Sequence, residues 1–542
     1  MDHTLNQLYK TIYPERELKS IQLEIITKLI TGNDIIAILA TGFGKSICYQ
    51  LPMLYFKKHV IVISPLIALM EDQQSNLNKL NIACTCLSSN LSHIAKSHEK
   101  LKISNNQEGI IIYITPESFI KEEFFIKDLI KNDNLCLIAI DESHCISTWG
   151  SDFRKDYQKL FCIKNWLEEI KSKVPIFACT ATATLEVQSE IVKYLGLKDP
   201  IIIKSSFNRE NLYLEYNKKN NVITDLSDIL KDYKNDYVII YSKTRDDTVK
   251  ISEIVNELGI NCKAYNGGMS LQERKTIQTE FIEGKFKCII ATLAFGMGID
   301  QNIKLVVHYG LSSDIDSYVQ EIGRAGRDGS NANCIMFWSD NDINTCSLLL
   351  EGLPLDRRKH KENQIRFMNK LARTDECRKK IILQYFGERI ENCMNCDNCN
   401  KNRNVVEDIE MNNIPINQQK LHLAIFMIFK TIMTCERSGL GISRITDILR
   451  GSKNKATLEF NKLSTYSSCV KYKQDILKEI IKLLIFNNYL REIFCKFGSI
   501  ITKAYKLHEF WSIYNDTTDI SVIEWPTFNI PRSFNIIQLF LK

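Results

Sequence analysis

The sequence predicts an α/β fold with two consecutive parallel-sheet domains, followed by a helical segment that carries a cluster of cysteines. Short β-branched runs alternate with helix-length amphipathic segments in two successive series. The alternation stops near Ser339, and a basic helical pattern replaces it. The 542 residues, 44% of them hydrophobic, are enough for about three to four domains of roughly 150 residues.

Composition and charge exclude several classes of protein. The chain has 70 Lys plus Arg and 64 Asp plus Glu, and the resulting net charge of +6 is compatible with a polyanionic partner. No apolar run reaches the roughly 18 residues of a membrane span, and Met1–Lys10 lacks the apolar core of a signal peptide. We therefore expect a soluble intracellular protein without a membrane partner. The sequence does not distinguish nucleus, cytoplasm or a viral replication compartment.

The two α/β domains are predicted over 1–205 and 206–345, joined near Ser205–Asn211. Strand-like runs of the first domain are Asp34–Leu39, Val60–Ser64, Ile110–Thr115, Leu135–Ile140 and Pro175–Cys179. Those of the second are Tyr237–Tyr241, Cys262–Tyr265, Cys288–Ala291 and Leu305–Tyr309. The helical periods between them indicate parallel sheets covered by helices.

A glycine-containing loop follows the first predicted strand and precedes a helix. Its residues are Leu39, Ala40, Thr41, Gly42, Phe43, Gly44, Lys45 and Ser46. The two glycines allow backbone N–H groups to surround phosphate oxygens, while Lys45 would reach the β- and γ-phosphates and Ser46 would contribute a hydroxyl to Mg²⁺. The helix N-terminus adds partial positive charge. This run is the predicted nucleotide-binding loop.

Two adjacent carboxylates, Asp141 and Glu142, follow the apolar strand Leu135–Ile140. Open α/β sheets place ligand-binding groups at the carboxyl ends of strands, so both are expected beside the phosphate loop. Asp141 would hold Mg²⁺, and Glu142 would orient and deprotonate the attacking water. Together the two motifs predict hydrolysis of Mg-ATP.

Longer motifs resemble the RecQ family of DNA helicases, superfamily-two enzymes with a DEAH-type box. The motifs, in the family's order, are Ser64–Gln73, Tyr113–Glu117, Asp141–Arg154, Thr180–Ala183, Ser206–Arg209 with Asn211–Tyr213, Ala291–Asp300 and Gln320–Gly329. The resemblance extends from about Ser20 to Ala504 and implies two tandem RecA-like motor domains. It also implies that Ser64–Gln73 touches the DNA backbone.

The resemblance assigns further residues to the nucleotide. Arg327 is expected to be an arginine finger supplied by the second motor domain, with Arg324 beside it. Gln22 is expected to hydrogen-bond the adenine edge, although Leu18 and Lys19 stand where the family has an aromatic residue and an arginine.

An aromatic-rich loop follows the catalytic carboxylates. Trp149, Phe153 and Arg154 are expected to couple DNA occupancy to the position of Glu142, because base stacking contributes about 1–3 kcal/mol per base. The alternative is that Trp149 and Phe153 are core residues.

Four cysteines occur with the spacing C-x15-C-x2-C-x2-C: Cys377, Cys393, Cys396 and Cys399. Cysteines of an intracellular protein are mostly reduced, and four thiolates can surround one Zn²⁺ as a closed, structural site. The nearby Gln384–Glu388 and Asp397 also resemble the RecQ zinc module. A helical zinc-binding module is therefore predicted over 346–405.

The remaining chain resembles the family's winged-helix domain, predicted over 406–508. The matching runs are Ile442–Ser452, Leu463–Tyr466 and Ile485–Leu490, and Arg444, Arg450 and Lys453 would grip duplex phosphates. A winged helix can also be a plain protein-contact module.

The wing strands are expected at Leu490–Phe494 and Ser499–Ala504, with Phe494 or Phe497 as a duplex-splitting wedge. The tail 509–542 has no assigned role, and it is too short for the additional helical domain of some family members.

The sequence thus predicts a zinc-containing, Mg²⁺- and ATP-dependent helicase of RecQ type that moves 3′ to 5′ on single-stranded DNA and unwinds forked duplexes. Direction and substrate come from the resemblance. An RNA helicase is the first alternative, because the motor core is shared with RNA-directed enzymes. A DNA-binding or strand-annealing module with a weak motor is the second. Protein partners and oligomeric state are not predicted.

Overall fold

The computed structural model describes residues 2–88, 91–147, 153–292, 295, 301–348, 350, 352–403, 416–435, 439–495, 498–514, 523 and 525. The chain forms two compact units. The first comprises 1–337 and 379–397, and the second comprises 338–378 and 398–542.

The first unit contains two sheets, each in its own lobe. The seven strands of the first lobe are β1 (Ile35–Ile38), β2 (His59–Ile63), β3 (Cys84–Leu87), β4 (Ile111–Ile114), β5 (Leu135–Ile140), β6 (Ile176–Thr180) and β7 (Ile201–Lys204). They are parallel and lie in the order β3-β4-β2-β5-β6-β1-β7. Only β6 separates β1 from β5, so the loops after these two strands lie at the same sheet edge.

The helices of the first lobe are α1 (Asp2–Ile12), α2 (Ser20–Ile30), α3 (Ile47–Phe56), α4 (Ile67–Lys79), α5 (His93–Ser104), α6 (Pro116–Lys121), α7 (Glu123–Lys131), α8 (Lys155–Gln158), α9 (Cys162–Ile170) and α10 (Leu185–Leu195). Every residue of β1 and β5 is buried, as expected of parallel strands covered on both faces. The sheet and the first helices share one apolar core.

The second lobe has six strands in the order β10-β11-β9-β12-β13-β8. They are β8 (Leu212–Lys218), β9 (Tyr237–Tyr241), β10 (Cys262–Tyr265), β11 (Cys288–Ala291), β12 (Ile303–Tyr309) and β13 (Ala332–Trp338). Its helices are α11 (Val222–Leu230), α12 (Arg245–Glu257), α13 (Leu271–Ile282) and α14 (Ile315–Ile322).

The second unit is mainly helical. Its helices are α15 (Asn341–Leu348), α16 (Leu355–Arg373), α19 (Ile416–Thr434), α20 (Ile442–Arg450), α21 (Lys455–Leu458), α22 (Gln474–Phe486) and α23 (Tyr505–Tyr514). An antiparallel hairpin of β14 (Leu490–Cys495) and β15 (Gly498–Lys503) has the place predicted for the wing. Two further helices, α17 (Arg378–Tyr385) and α18 (Asp397–Arg403), lie on either side of Cys393 and Cys396, and Cys399 lies within α18.

The predicted tail is partly built into this second unit. Trp511 and Trp525 pack against its apolar core, and the Trp525 ring stacks on His422 at 4.3 Å between centroids. Among the described residues, no helix combines the length and the apolar character that crossing a membrane requires. The wedge candidates Phe497 and the side chain of Phe494 lie outside the described part of the chain.

Candidate active site

The phosphate loop connects β1 to α3 at the carboxyl edge of the first sheet. Gly42 and Gly44 have φ of +80° and +91°, the left-handed region that glycine enters without steric cost. The amide of Phe43 donates to the Ala40 carbonyl at 3.0 Å and closes a tight turn. The loop therefore presents its backbone at the N-terminus of α3, where an anion is stabilised.

Gln22 braces this loop from α2. Its Nε2 group donates to the carbonyls of Phe43 at 2.9 Å and Gly44 at 3.2 Å, and its Oε1 accepts from the Lys19 amide at 3.0 Å. The Lys19 ammonium lies 4.3 Å from the centroid of the Phe43 ring. The structure thus shows Gln22 and Lys19 holding the loop itself, and the adenine contact of Gln22 stays a prediction.

The two carboxylates lie directly after β5, next to the loop. The Lys45 ammonium is 3.6 Å from a Glu142 carboxylate oxygen, and the His144 Nδ1 atom is 3.3 Å from the other. The same His144 nitrogen is 2.8 Å from the Thr180 hydroxyl, at the end of β6. Glu142 has φ of +47°, an uncommon conformation for a non-glycine residue. Such strain is typical of functional positions.

The surroundings of Asp141 and Glu142 shift the pKa values of the two carboxyl groups in opposite directions. Burial alone would raise the pKa of Glu142, but the charges of Lys45, His144 and Arg324 lower it. Burial and the Glu142 charge raise the pKa of Asp141, partly opposed by Lys45. Burial alone would lower the pKa of Lys45, but Glu142 and Asp141 raise it. Glu142 is thus held ionised, as a general base requires.

The oxygen ligands that Mg²⁺ prefers are present beside the loop. The Ser46 hydroxyl and the Asp141 carboxylate line one cavity, a donor set that suits this ion. The Ser46 hydroxyl donates to Gln73 Oε1 at 3.3 Å. Sequence analysis missed Gln73 at this site, because its motif was associated with DNA contact and no local signal directs α4 toward the loop.

Both lobes contribute to a single cavity of about 920 Å³. Its lining includes Lys45 and Glu142 from the first lobe, and Arg324 and Arg327 from the loop after α14 in the second. The Arg327 Cγ atom lies 3.1 Å from the position that a Cβ would occupy at Gly42. The predicted lysine, carboxylates and arginines therefore face a common crevice.

The aromatic-rich loop is only partly described. Trp149 lies outside the described residues, as does most of the motif Ala291–Asp300. The Arg154 amide donates to the Cys145 carbonyl at 3.0 Å, and its guanidinium donates to the Pro65 carbonyl. Close by, the Tyr157 hydroxyl donates to the Asp141 carbonyl at 2.9 Å. The end of the loop is thus connected to the segment that carries the carboxylates.

The four predicted zinc ligands come together. The Sγ atoms of Cys377, Cys393, Cys396 and Cys399 all lie within 4.8 Å of one another. Tetrahedral zinc with Zn–S bonds of about 2.3 Å requires sulfur separations of about 3.8 Å, so the cluster fits the ion. The Asn395 amide donates to Cys393 Sγ at 3.4 Å, an interaction that favours a thiolate.

The segment 379–397 holds the linker between the two motor lobes. Glu388 accepts from the Ser206 hydroxyl and the Phe207 amide, both at 2.7 Å, and the Phe386 ring stacks on Phe207 at 4.6 Å between centroids. The Lys379 ammonium donates to the Arg209 carbonyl at 2.8 Å. No sequence spacing predicted these contacts, which join residues about 170–180 positions apart.

Comparison with known proteins identifies the family. Four profiles match successive parts of the chain: DEAD/DEAH box helicase at 19–191, helicase conserved C-terminal domain at 220–329, RecQ zinc-binding at 340–400 and RQC domain at 416–511. The ATP-dependent DNA helicase RecQ of Bacillus subtilis is 33% identical over 91% of this chain and 81% of its own length. This chain belongs to the RecQ family. Its domains are those of an ATP-dependent helicase, and its cysteine cluster fits the structural zinc of the matching RecQ zinc-binding profile.

Other relatives of this RecQ-type helicase differ in length and name. A protein of Acanthamoeba polyphaga mimivirus named as an ATP-dependent RNA helicase is 37% identical over 93% of this chain and 91% of its own length. The chain spans only 32% of a mouse bifunctional 3′-5′ exonuclease/ATP-dependent helicase, to which it is 35% identical. The DUF1998 helicase MrfA bound to DNA and AMPPNP shares the fold, with a TM-score of 0.53 and 18% identity over 76% of this chain and 60% of that one.

Gly44→Ala is expected to weaken nucleotide binding. A Cβ at Gly44 would lie 2.6 Å from Gln22 Nε2, at a left-handed φ of +91°. The Gln22 amide would move away and lose its hydrogen bonds to the Phe43 and Gly44 carbonyls. The left-handed backbone adds strain of about 1–3 kcal/mol, so the KM for ATP should rise roughly tenfold or more in steady-state ATPase assays.

Gly32→Ala is the matched control for this prediction. Gly32 has a similar φ of +84°, but a Cβ there meets no atom within 4 Å. It should lower stability through backbone strain without changing the KM for ATP. Equal KM values for the two variants would contradict the bracing role of Gln22.

Proposed function

We propose that this RecQ-type helicase hydrolyses Mg-ATP between its motor lobes and uses the energy to move 3′ to 5′ along one DNA strand, separating the duplex ahead of it. The observation that carries the proposal is the single cavity lined by Lys45 and Glu142 from one lobe and Arg324 and Arg327 from the other. A site completed by two lobes can be completed and opened as they move, which couples hydrolysis to motion.

Each side chain has a chemical task in this proposal. Lys45 binds the terminal phosphates, and Glu142 orients and deprotonates the attacking water. Arg327 stabilises the charge of the transition state, with Arg324 beside it. Ser46 and Asp141 would hold Mg²⁺, which neutralises phosphate charge when bound.

The aromatic-rich loop would report DNA to this site. Arg154 and Tyr157 connect the loop's end to the segments carrying Pro65 and Asp141, which supports the coupling role. Replacing Trp149 and Phe153 by alanine is expected to reduce the stimulation of ATPase by single-stranded DNA, because about 1–3 kcal/mol per stacked base is lost. Basal turnover should be spared.

The control for this loop is Phe161→Ala, an aromatic residue that is 55% exposed between α8 and α9 of the same lobe. It should leave stimulation intact. Full stimulation of the variant lacking both Trp149 and Phe153 would show that these residues serve only the core.

The second unit would hold the duplex. Arg444, Arg450 and Lys453, on and just after α20, are proposed to contact phosphates, and the β14–β15 hairpin is proposed to be the wing. Such binding should weaken with salt through counterion release. The predicted domain limits and an intracellular, reducing environment for the zinc thiolates are part of the same proposal.

Strand displacement tests the function directly. Forked, 3′-tailed and 5′-tailed DNA duplexes are compared with and without Mg-ATP. Unwinding of forked and 3′-tailed substrates alone is expected, and equal unwinding of 5′-tailed substrates would refute the direction.

Lys45→Ala should abolish unwinding and spare DNA binding. Equal unwinding by Lys45→Ala would instead support a binding or annealing module without a working motor.

RNA is the second candidate substrate, favoured by the name of the mimivirus relative. Matched single-stranded DNA and RNA oligonucleotides decide between the two through their stimulation of ATPase. DNA is expected to stimulate more strongly. Stronger stimulation by RNA would reassign the substrate.

A further inference from the structure

Arg209 lies in the linker between the motor lobes and contacts the nucleotide-side loops of both. Its Nη1 group is 3.4 Å from the Thr41 carbonyl in the phosphate loop and 3.4 Å from the Gly323 carbonyl at the end of α14. Its Nη2 group donates to the carbonyls of Ala325 at 3.1 Å and Gly326 at 2.7 Å. One guanidinium thus joins the phosphate loop to the loop that carries Arg324 and Arg327.

Arg209 contacts the peptide groups that precede Gly42 in the phosphate loop and Arg327 in the second lobe. A trans peptide is planar, so its N–H points away from its carbonyl. Holding the Thr41 carbonyl fixes the direction of the Gly42 N–H, and holding the Gly326 carbonyl fixes that of the Arg327 N–H. The Arg327 side chain lies against Gly42, with its Cγ atom 3.1 Å from the position that a Cβ would occupy at Gly42.

Neighbouring groups make this arrangement rigid. Asn211 Nδ2 also donates to the Gly326 carbonyl at 2.9 Å and to the Ser330 carbonyl at 2.8 Å. Gly326 has φ of +52°, and any Cβ there would collide with Ser330 and Asn211. The backbone of Arg209 is itself held by Lys379 at 2.8 Å. The backbone of Arg209 and the Gly326 peptide group that its guanidinium contacts are therefore each held by further hydrogen bonds.

We propose that Arg209 is a positioning residue that keeps the arginine-finger loop in register with the phosphate loop and thereby sets the rate of ATP hydrolysis. Arg209 is not itself among the residues that line the nucleotide cavity, and it acts through Arg327. The inference rests on the proposed role of Arg327 as the finger. Arginine suits the task because its planar fork can donate to several carbonyls in two directions, which a lysine ammonium cannot do from one point.

A double-mutant cycle in the full-length, zinc-loaded protein tests this inference. The variants are Arg209→Gln, Arg327→Ala and the two combined, with kcat and KM for ATP measured at saturating single-stranded DNA. Misplacing a catalytic group by about 1 Å costs on the order of 10²-fold, so Arg209→Gln should lower kcat by about that factor. In the Arg327→Ala background, Arg209→Gln should lower kcat by less than about threefold, because the two residues act as one unit.

Two further variants separate positioning from folding. Lys285→Gln removes an exposed charge of the second lobe, paired with Glu283 at 2.9 Å, and should leave kcat unchanged. Arg209→Lys keeps the charge and should still lower kcat by about tenfold, since it cannot span both loops. If Arg209→Gln has a lower thermal midpoint than the wild-type protein, Arg209→Lys takes its place in the double-mutant cycle.

The outcomes are distinct. Wild-type kcat in a folded Arg209 variant overturns the inference, and so does an undiminished further loss when Arg209→Gln is added to Arg327→Ala. Wild-type kcat in Arg327→Ala itself refutes the finger of the proposed function instead.

Discussion

Arg327→Ala is expected to lower the kcat of DNA-stimulated ATP hydrolysis by about 10³-fold or more, the usual contribution of an arginine finger. The side chain comes from the second lobe and lies against Gly42 of the phosphate loop. Its charge can therefore stabilise the transition state only when the two lobes face each other. Nucleotide affinity should change far less, because the phosphate loop and Lys45 remain intact.

The measurement combines steady-state ATPase with equilibrium binding of a fluorescent ATP analogue. Arg327→Lys should recover only part of the activity, because an ammonium lacks the guanidinium's planar set of donors. Lys285→Gln, which removes one exposed positive charge from the same lobe, is the control for net charge. A kcat within about tenfold of wild type in Arg327→Ala would assign the finger elsewhere, with Arg324 as the next residue to test.

Loss of the cysteine cluster is expected to give the largest loss of stability. The apparent binding free energy of a structural zinc site is on the order of 10 kcal/mol, whereas most surface substitutions change stability by less than about 0.5 kcal/mol. Cys396, fully buried in the cluster, is the ligand to replace with serine. The variant should lose stoichiometric zinc and show a lower thermal midpoint.

The zinc content is measured by elemental analysis, and the midpoint is followed with and without a chelator. Cys162→Ser is the matched control, a half-buried thiol of α9 that lies outside the cluster. Zinc that is substoichiometric and unaffected by Cys396→Ser would contradict the site. A wild-type midpoint unchanged in chelator would contradict it as well.

Loss of zinc is also expected to disturb the linker between the two motor lobes. The segment 379–397 holds the linker through Glu388, Phe386 and Lys379, so its unfolding would release Arg209 from its backbone contact. If Arg209 positions the finger loop as proposed, the Cys396→Ser variant is therefore expected to lose ATPase rate in addition to stability.

The sequence predicted most of the strands and missed four of them. Leu135–Ile140 and Tyr237–Tyr241 are continuous apolar runs, and the structure has strands with those limits. The strands β3, β7 and β8, at sheet edges, and β13, inside the second sheet, were not predicted, whereas the edge strand β10 was predicted with its observed limits. Edge strands are shorter or carry polar residues on one face, as in the alternating burial of β8, so their hydrophobic signal is weak.

Local motifs were sufficient to predict those functional groups that lie close together in the sequence. The phosphate loop, the Asp141–Glu142 pair and the cysteine spacing each place their groups through one strand end or one short segment. The sequence therefore determined the reaction class, the metal and the family of this protein.

Only the tertiary structure decided how these parts are held together. Gln73 beside Ser46, the Glu388 contacts with the linker, and Arg209 between Thr41 and Gly326 join residues 27 to 182 positions apart. Each depends on carbonyls, amides and hydroxyls that every sequence contains in abundance. Such groups become specific only when the fold brings them within hydrogen-bond distance, so no pattern along the chain could reveal them.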